Sequence, residues 1–333
     1  MDRVCVNTKV LTLGMRAITY TRYGPPEVLK IREIPDPIPK DNEILVRVRA
    51  TTVTVADYRI RSFDIPTSFY IPARIALGIT GPRKQILGAE LAGDVKAIGK
   101  SVKKFKVGDK VFASTLAGFG GYAEYKCLPE NGAVALMPRG ISYEEAAAIP
   151  IGGCTALNYL RQCEIGPGQK ILVYGASSSV GTYTVQLAKH FGAEVTGVCS
   201  SANVDLVRSL GADKVLDYTK PDFYSQLEKY DIFFVAIDKI PFAICKQHIV
   251  DNGFYANITM VMRTPAMMFA PKLRFSKGGS PGEKAEELNE LGDLVEAGKL
   301  KVVVDRKYKL DDIVEAHRYV GTGRKKGNVV VTV

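Results

Sequence analysis

Residues that commonly hold metal ions are scarce in this chain of 333 residues, and their spacing argues against a compact metal site. The three histidines, His190, His248 and His317, stand alone in predicted helices without a second metal-binding residue at ligand spacing. The six cysteines are never closer than nine residues apart, so no Cys-x-x-Cys pair exists for structural zinc. We therefore predict that the protein holds no metal and that its thiols are reduced, as in an intracellular protein.

Long apolar runs and blocks of one charge are also missing. No apolar stretch is long enough to span a membrane, and residues 1–14 are too interrupted for a secretory signal, so we interpret them as an N-terminal extension. The net charge is +10, yet Lys and Arg are spread along the chain without a basic block. These absences predict a cytoplasmic protein with no membrane partner, and they argue against a nucleic-acid partner.

The most informative stretch is residues 170–191, where an apolar run leads through a small-residue turn into a helical pattern. The run from Ile171 to Tyr174 is typical of a central parallel strand. A helix N-terminus behind small residues can bind a pyrophosphate, although serines stand here where glycines are usual. We therefore predict that the turn binds the phosphates of a dinucleotide, through Gly175, Ala176, Ser177, Ser178, Ser179, Val180 and Gly181.

Strands and helices alternate after this unit. Strands are predicted at 194–199, 214–217, 232–237 and 253–257, with a helix at 241–250 before the last of them and a further strand at 302–304. This β-α-β order predicts a doubly wound Rossmann domain. Before it lie short strands separated by Gly and Pro, and an irregular stretch at 65–85. The predicted fold class is α/β, with an irregular β domain joined to a Rossmann domain.

The end of the second Rossmann strand bears on the choice of cofactor. An acidic residue at this point binds the ribose hydroxyl of NAD, whereas a 2′-phosphate requires its absence. The strand is followed by Ser200 and Ser201, without a carboxylate, and both hydroxyls can donate to a phosphate. We therefore predict NADPH as the cofactor. The alternative is that both serines only cap the next helix.

The chain resembles the zinc-independent quinone oxidoreductases, or ζ-crystallin-like branch, of the medium-chain dehydrogenase/reductase superfamily. The resemblance covers residues 15–333 and rests on blocks that occur in the same order. These blocks are MRAITYTRYGPPEVLKI, LGAELAGDVKAIG, KVGDKVF, GGYAEY, AAAIPIGGCTAL, GASSSVGTYTVQLAKHFGAEV, LGADKVLDY and GRKKGNVVVTV. The Gly-His-Glu of the zinc enzymes is replaced by Gly88, Ala89 and Glu90, which favours the zinc-free branch.

The resemblance implies a domain organisation and a homodimer. It assigns residues 15–140 to a GroES-like catalytic domain, 141–275 to the Rossmann domain, and 276–333 to a return segment that completes the catalytic domain. Within 141–275, Met260, Met262, Met267, Met268 and Phe269 could line an apolar pocket, contact a second subunit or fill the core.

The resemblance also implies individual roles. Thr155 resembles the threonine that faces the nicotinamide, and Tyr218 resembles a tyrosine beside the adenosine phosphate.

We further predict that the basic turn of Arg324, Lys325 and Lys326 before the last strand supplies a cation to the cofactor, with Lys326 as the candidate. The chemistry of hydride transfer, rather than the resemblance, leads us to predict Thr54 and Tyr58 near the substrate oxygen as hydrogen-bond donors in place of zinc. The alternative for both residues is loop packing.

These assignments predict an NADPH-dependent, zinc-independent reductase of quinones or α,β-unsaturated carbonyls, acting by hydride transfer from nicotinamide C4. The partner would be a small molecule with an electrophilic carbonyl group. Two alternatives stay open at this point: an enoyl-thioester reductase, and a non-catalytic protein that binds NADPH or RNA.

Overall fold

The computed structural model of the chain describes residues 14–65, 70–259, 270–276 and 284–333. The predicted extension lies outside this range except for Gly14, which already belongs to the first strand. The first part of the chain forms β1 (Gly14–Thr19), β2 (Lys30–Pro35), β3 (Glu43–Thr52), α1 (Val55–Ser62), α2 (Tyr70–Leu77), β4 (Glu90–Ile98), β5 (Lys110–Ser114), β6 (Tyr125–Pro129) and β7 (Val134–Leu136).

The second part alternates helices with strands. Its elements are α3 (Tyr143–Ala147), α4 (Pro150–Gln162), β8 (Lys170–Tyr174), α5 (Ser179–His190), β9 (Glu194–Cys199), α6 (Val204–Ser209), β10 (Lys214–Asp217), β11 (Tyr230–Val235), α7 (Phe242–Gln247), β12 (Ile249–Asn257), β13 (Arg274–Phe275), α8 (Ala285–Glu296), β14 (Val304–Lys309), α9 (Ile313–Gly321) and β15 (Asn328–Thr332). None of the helices in the described ranges is long and apolar enough to cross a bilayer.

Six strands form one parallel sheet in the order β10-β9-β8-β11-β12-β13. This is the order 3-2-1-4-5-6 of a doubly wound Rossmann sheet, so the predicted fold is confirmed. Ile171, Leu172 and Val173 of β8 are fully buried, which explains why the apolar run shows no alternation. The strand order reverses at β8, and ligands of such sheets bind at the carboxyl end of this position.

A seven-stranded sheet contains strands from both ends of the chain, in the order β14-β15-β3-β4-β5-β7, with β6 also paired to β3. The last strand is antiparallel to β3, with Val330 opposite Thr52. The C-terminal segment therefore returns to the sheet that the N-terminal segment begins. The domain limits at residues 140 and 275 stay predictions.

Three local predictions differ from the structure. The stretch predicted to be irregular at 65–85 contains α2, whose Pro72 lies in the first turn, where proline is tolerated. The strand predicted at 302–304 is instead β14 at Val304–Lys309, an edge strand whose polar sequence lacks an apolar run. The helix predicted at 241–250 is shorter, because Ile249 already begins β12.

A buried polar cluster joins α9 to the loop before β6. The imidazole of His317 is fully buried, and its Nε2 lies 3.2 Å from the hydroxyl of Tyr122. That hydroxyl is also hydrogen-bonded to the buried carboxyl of Asp57. Burial, together with the charge of Arg61, lowers the pKa of His317 to about 3, so the imidazole is neutral at physiological pH.

We expect His317 to make the stability of the fold depend on pH. The folded pKa of about 3 is below the unfolded value of about 6.5, so the stabilisation is complete above pH 6.5 and is lost as the pH falls towards 3. Each pH unit in this window removes about 1.4 kcal/mol from the free energy of unfolding. Urea denaturation at about pH 7.5 and about pH 5.5 should therefore show a smaller decrease for His317→Gln than for the wild type. Equal decreases in the two proteins would contradict this assignment.

Candidate functional site

The turn from Gly175 to Gly181 connects the carboxyl end of β8 to α5, at the point where the strand order reverses. Gly175 has a φ of +85°, a conformation that favours glycine. A Cβ atom on Gly181 would lie only 2.1 Å from the carbonyl oxygen of Gly175. Ser178 caps the helix by accepting a hydrogen bond from the amide of Gly181 at 3.1 Å. The two glycines thus permit a turn that residues with side chains could not form.

The remaining residues of this turn have different surroundings. Ala176 is fully buried, and its amide donates to Val198 on β9 at 3.0 Å. Ser177, Ser179 and Val180 are half-buried at the start of α5. Because the first amides of a helix have no partner within the helix, this small-residue turn fits a pyrophosphate.

The C-terminal return segment holds the turn from the other side. The amide of Gly327 donates to the carbonyl oxygen of Ser177 at 2.8 Å, and the hydroxyl of Ser179 donates to the side-chain oxygen of Asn328. Ser178 and Gly327 also form an isolated β-bridge. These contacts attach the turn of the Rossmann sheet to the start of β15 in the seven-stranded sheet.

The ends of β9 and β10 form a second polar cluster. Ser201 donates to the carboxylate of Asp217, and its oxygen lies 3.0 Å from the hydroxyl of Thr219. Ser200 accepts a hydrogen bond from Asn203, whose side chain also donates to Ser177. The cluster is therefore connected to the turn from Gly175 to Gly181, which we call the phosphate turn after its predicted role.

Two charged residues of this second cluster were missed in the sequence. Asp217 brings a carboxylate to Ser201 from the neighbouring strand, and the exposed Lys220 lies close enough to help lower the pKa of Asp217. Parallel strands end at a common edge of the sheet, so residues after one strand lie near residues after the next. The predicted strand at 214–217 therefore could have indicated that Asp217 and Lys220 lie near Ser201.

Tyr218 follows β10 and is nearly half exposed. Its ring centroid lies 6.2 Å from that of Tyr174 at the end of β8, and its amide donates to the carbonyl oxygen of Cys199. This position borders the same carboxyl edge of the sheet. The exposed ring is available for stacking on an adenine base.

Helix α4 carries Thr155 and packs beside the phosphate turn. A Cβ atom on Gly152 would lie 2.8 Å from the Oγ of Ser179, which shows how closely the two helices approach. Thr155 is half-buried and lies about one turn further along α4. The structure gives this residue a position near the start of α5.

Thr54 caps the N-terminus of α1. Its hydroxyl donates to the carboxylate of Asp57 at 2.6 Å and accepts from the amide of Asp57 at 3.1 Å. Asp57 is buried and also accepts from the amide of Gly88 at 2.9 Å. The Thr54 hydroxyl is therefore already engaged with Asp57, and burial raises the pKa of that carboxyl above its usual range.

Tyr58 faces α9. A Cβ atom on Gly321 would lie 2.9 Å from its ring, and the guanidinium of Arg61 lies 5.2 Å from the ring centroid. Tyr58 lines a cleft of about 470 Å³ together with Arg61, His317 and the 24–26 turn. None of these lining residues belongs to the phosphate turn.

The two neighbouring lysines of the basic turn have different surroundings. Lys326 is exposed, and its backbone amide donates to Asp305. Lys325 instead directs its ammonium group inwards, where it donates to the carbonyl oxygen of Gly327 at 2.7 Å. Burial lowers the pKa of Lys325 to about 8, while the nearby carboxyl of Glu90 opposes this shift. The sequence did not distinguish the two lysines.

Glu90 is fully buried between β4 and α4. Its carboxyl accepts hydrogen bonds from the hydroxyl of Thr52 and, at 2.7 Å, from the amide of Ile151. Burial raises the pKa of Glu90 to about 8. The charge of Lys325 opposes the upward shift in the pKa of Glu90, and that of Glu90 opposes the downward shift in the pKa of Lys325, so the two groups lie near each other.

Within the described ranges, no three His, Cys, Asp or Glu side chains come together as a metal-binding group. The segment 260–269, with Met260, Met262, Met267, Met268 and Phe269, lies outside the described residues.

Family models match both parts of the chain. The model for an alcohol dehydrogenase GroES-like domain matches residues 40–139. Two models for a zinc-binding dehydrogenase match residues 179–239 and 210–331. The matches cover segments that contribute strands to both of the sheets described above.

Individual relatives match over nearly the whole chain. The chain is 34% identical over 334 residues to a chloroplast envelope quinone oxidoreductase homolog of Arabidopsis thaliana, covering 95% of this chain and 98% of the relative. It is 32% identical over 329 residues to a chloroplastic NADPH-dependent alkenal/one oxidoreductase of the same plant, covering 95% and 79%. The solved quinone oxidoreductase of Coxiella burnetii has a TM-score of 0.84 at 27% identity, covering 96% and 100%.

We expect Gly181→Ala to weaken the binding of a nicotinamide dinucleotide by roughly tenfold or more, because the added methyl group would displace the Gly175 carbonyl and open the turn. The control is Gly166→Ala, whose Cβ atom would meet nothing within 4 Å. Nicotinamide fluorescence measures the dissociation constants, and circular dichroism checks that both variants fold. Equal affinities in the two folded variants would argue against a phosphate site at this turn.

Proposed function

The chain is an oxidoreductase of the quinone oxidoreductase branch of the medium-chain dehydrogenase/reductase superfamily, and we propose that NADPH is the hydride donor with which it reduces quinones or α,β-unsaturated carbonyls. The observation that carries this proposal is the small-residue turn at the point where the strand order reverses. The return segment is hydrogen-bonded to this turn. The turn can hold a dinucleotide between the two sheets.

The preference for NADPH rests on the ends of β9 and β10. No carboxylate follows β9 directly, and Ser200, Ser201 and Lys220 could all donate to a 2′-phosphate. Asp217 opposes this preference, since its charge lies beside Ser201. We propose that the 2′-phosphate pairs with Lys220 and accepts the hydrogen bond that Ser201 otherwise donates to Asp217. The name of the alkenal/one oxidoreductase relative, which includes NADPH dependence, supports this choice.

A second part of the proposal concerns the other end of the cofactor. Bound nicotinamide supplies a hydride from C4, and the protein has to stabilise the negative charge that develops on the substrate oxygen. We propose Thr54 as a hydrogen-bond donor to this oxygen. Its hydroxyl would donate to the substrate instead of to the carboxylate of Asp57. Tyr58 is the second proposed donor, and Thr155 the residue facing the nicotinamide. The contacts favour Thr54 over Tyr58, because the Tyr58 ring packs against Gly321 on α9.

We further propose that the reaction needs no zinc. Ala89 stands where the zinc enzymes have a histidine, and the buried pair of Glu90 and Lys325 lies next to this position. Lys325 places a cation close to the phosphate turn, a better position than that of the exposed Lys326 for interaction with the cofactor's charge. The predicted homodimer and the cytoplasmic location stay predictions, and the names of several relatives include the chloroplast.

The reaction is tested by following nicotinamide absorbance with NADPH or NADH and a quinone, an enone, an alcohol and a crotonyl thioester in parallel. We expect NADPH-selective turnover of the quinone or enone that a chelator leaves unchanged. Thr54→Val should reduce kcat by roughly tenfold, whereas Thr54→Ser retains both the hydroxyl and the helix cap.

The other outcomes of this assay separate the alternatives. Alcohol oxidation or a requirement for zinc would contradict the proposed mechanism. Faster turnover of the thioester would identify an enoyl-thioester reductase. NADPH binding without turnover of any electrophile would indicate a binding protein.

The cofactor preference is tested separately at Lys220. We expect Lys220→Met to raise the dissociation constant for NADPH by roughly tenfold and to leave that for NADH unchanged, because only NADPH carries the 2′-phosphate. Lys229→Met is the matched control, since Lys229 is also exposed but precedes β11 at the opposite edge of the sheet. If the dissociation constants for NADPH and NADH rose equally, or neither changed, the 2′-phosphate would have to bind elsewhere.

A further inference from the structure

Helix α2 exposes an unusual amount of apolar surface. None of its eight residues is buried. The exposed fractions are 72% for Ile71, 56% for Ile75 and 44% for Tyr70, and Ile79 just beyond the helix is 68% exposed. Ile71 and Ile75 are four residues apart and share one face of the helix. Large apolar side chains clustered in this way are a feature of interaction surfaces.

The opposite side of α2 is held to the protein by Arg74. Its guanidinium lies 4.2 Å from the ring centroid of Phe63 and 4.9 Å from that of Tyr23. The hydroxyl of Tyr23 also donates to the carbonyl oxygen of Gly78 at 3.2 Å. This stack attaches the helix without burying its isoleucines, so they stay directed towards the surroundings.

Basic residues follow the apolar face. Arg83 and Lys84 are exposed, and the backbone pairing of Tyr20 with Gln85 brings the exposed Arg22 into the same region. Among the ion pairs of the described residues, none includes Arg22, Arg83 or Lys84. The sequence contains no Asp or Glu between Asp64 and Glu90. The charge around α2 is therefore positive and unneutralised.

We propose that this α2 surface, formed by Ile71, Ile75 and Ile79 with Arg22, Arg83 and Lys84, binds the face of a membrane that contains anionic phospholipids. Apolar side chains next to cations match the boundary between acyl chains and negatively charged headgroups. A second copy of the chain matches less well, because it also carries a net charge of +10 and would bring the same basic residues into contact. This proposal revises the expectation of no membrane partner, and concerns surface binding rather than a membrane span.

The test is flotation of the full chain with vesicles of phosphatidylcholine alone or mixed with phosphatidylglycerol. We expect binding to the mixed vesicles that decreases with added salt and is absent with phosphatidylcholine alone. Ile71→Glu combined with Ile75→Glu should weaken binding by roughly tenfold or more, as should Arg83→Ser combined with Lys84→Ser. Ile38→Glu is the matched control, because Ile38 is 88% exposed on the loop between β2 and β3.

Each outcome of the flotation experiment has a defined meaning. Absence of binding to the mixed vesicles, or equal loss of binding in the Ile38→Glu control, would overturn the proposal. Light scattering on the same variants reports the molecular mass. A lower mass for the Ile71 and Ile75 variant would show that α2 contacts a second copy, which would also overturn it. Circular dichroism checks that the variants fold, and no substrate or cofactor is present, so the result is independent of the proposed reaction.

Discussion

The contact between the phosphate turn and the C-terminal return segment is the interaction on which the candidate site depends. Ser177 accepts from the amide of Gly327, and Ser179 donates to Asn328, immediately before β15 pairs with β3. These contacts therefore join the carboxyl end of the Rossmann sheet to the closing strand of the other sheet. A dinucleotide bound at this turn would therefore lie beside the closing strand of the sheet that carries Glu90.

Burial of charge is the second constraint. Asp57, Glu90 and His317 are buried, and the ammonium group of Lys325 is directed inwards. Burial shifts the pKa of each group in the direction that favours its neutral form. Hydrogen bonds from Thr54, Gly88 and Ile151 partly compensate the two carboxyls. Such a cluster fixes the geometry of the loops around it, because any displacement would leave a buried polar group without a partner.

Much of the Rossmann part could be predicted because each element depends mainly on its own residues. The strands predicted at 194–199 and 214–217 both agree with the structure. Prediction was wrong where local signals were weak. Helix α2 contains a proline and buries no residue, so it shows no apolar periodicity directed at a core. Strand β14 is formed by pairing with β15 rather than by an apolar pattern.

The sequence alone was sufficient for the order of strands and helices in the Rossmann domain, the small-residue turn at 175–181 and the family resemblance, because these follow from periodicity and from short local patterns. Tertiary structure decided which charges meet. Asp217 reaches Ser201 only because β9 and β10 lie side by side, and Lys325 rather than Lys326 turns inwards because the return segment packs against Ser177. Distances between residues far apart in the chain depend on sheet register and on packing between sheets, and no local pattern encodes them.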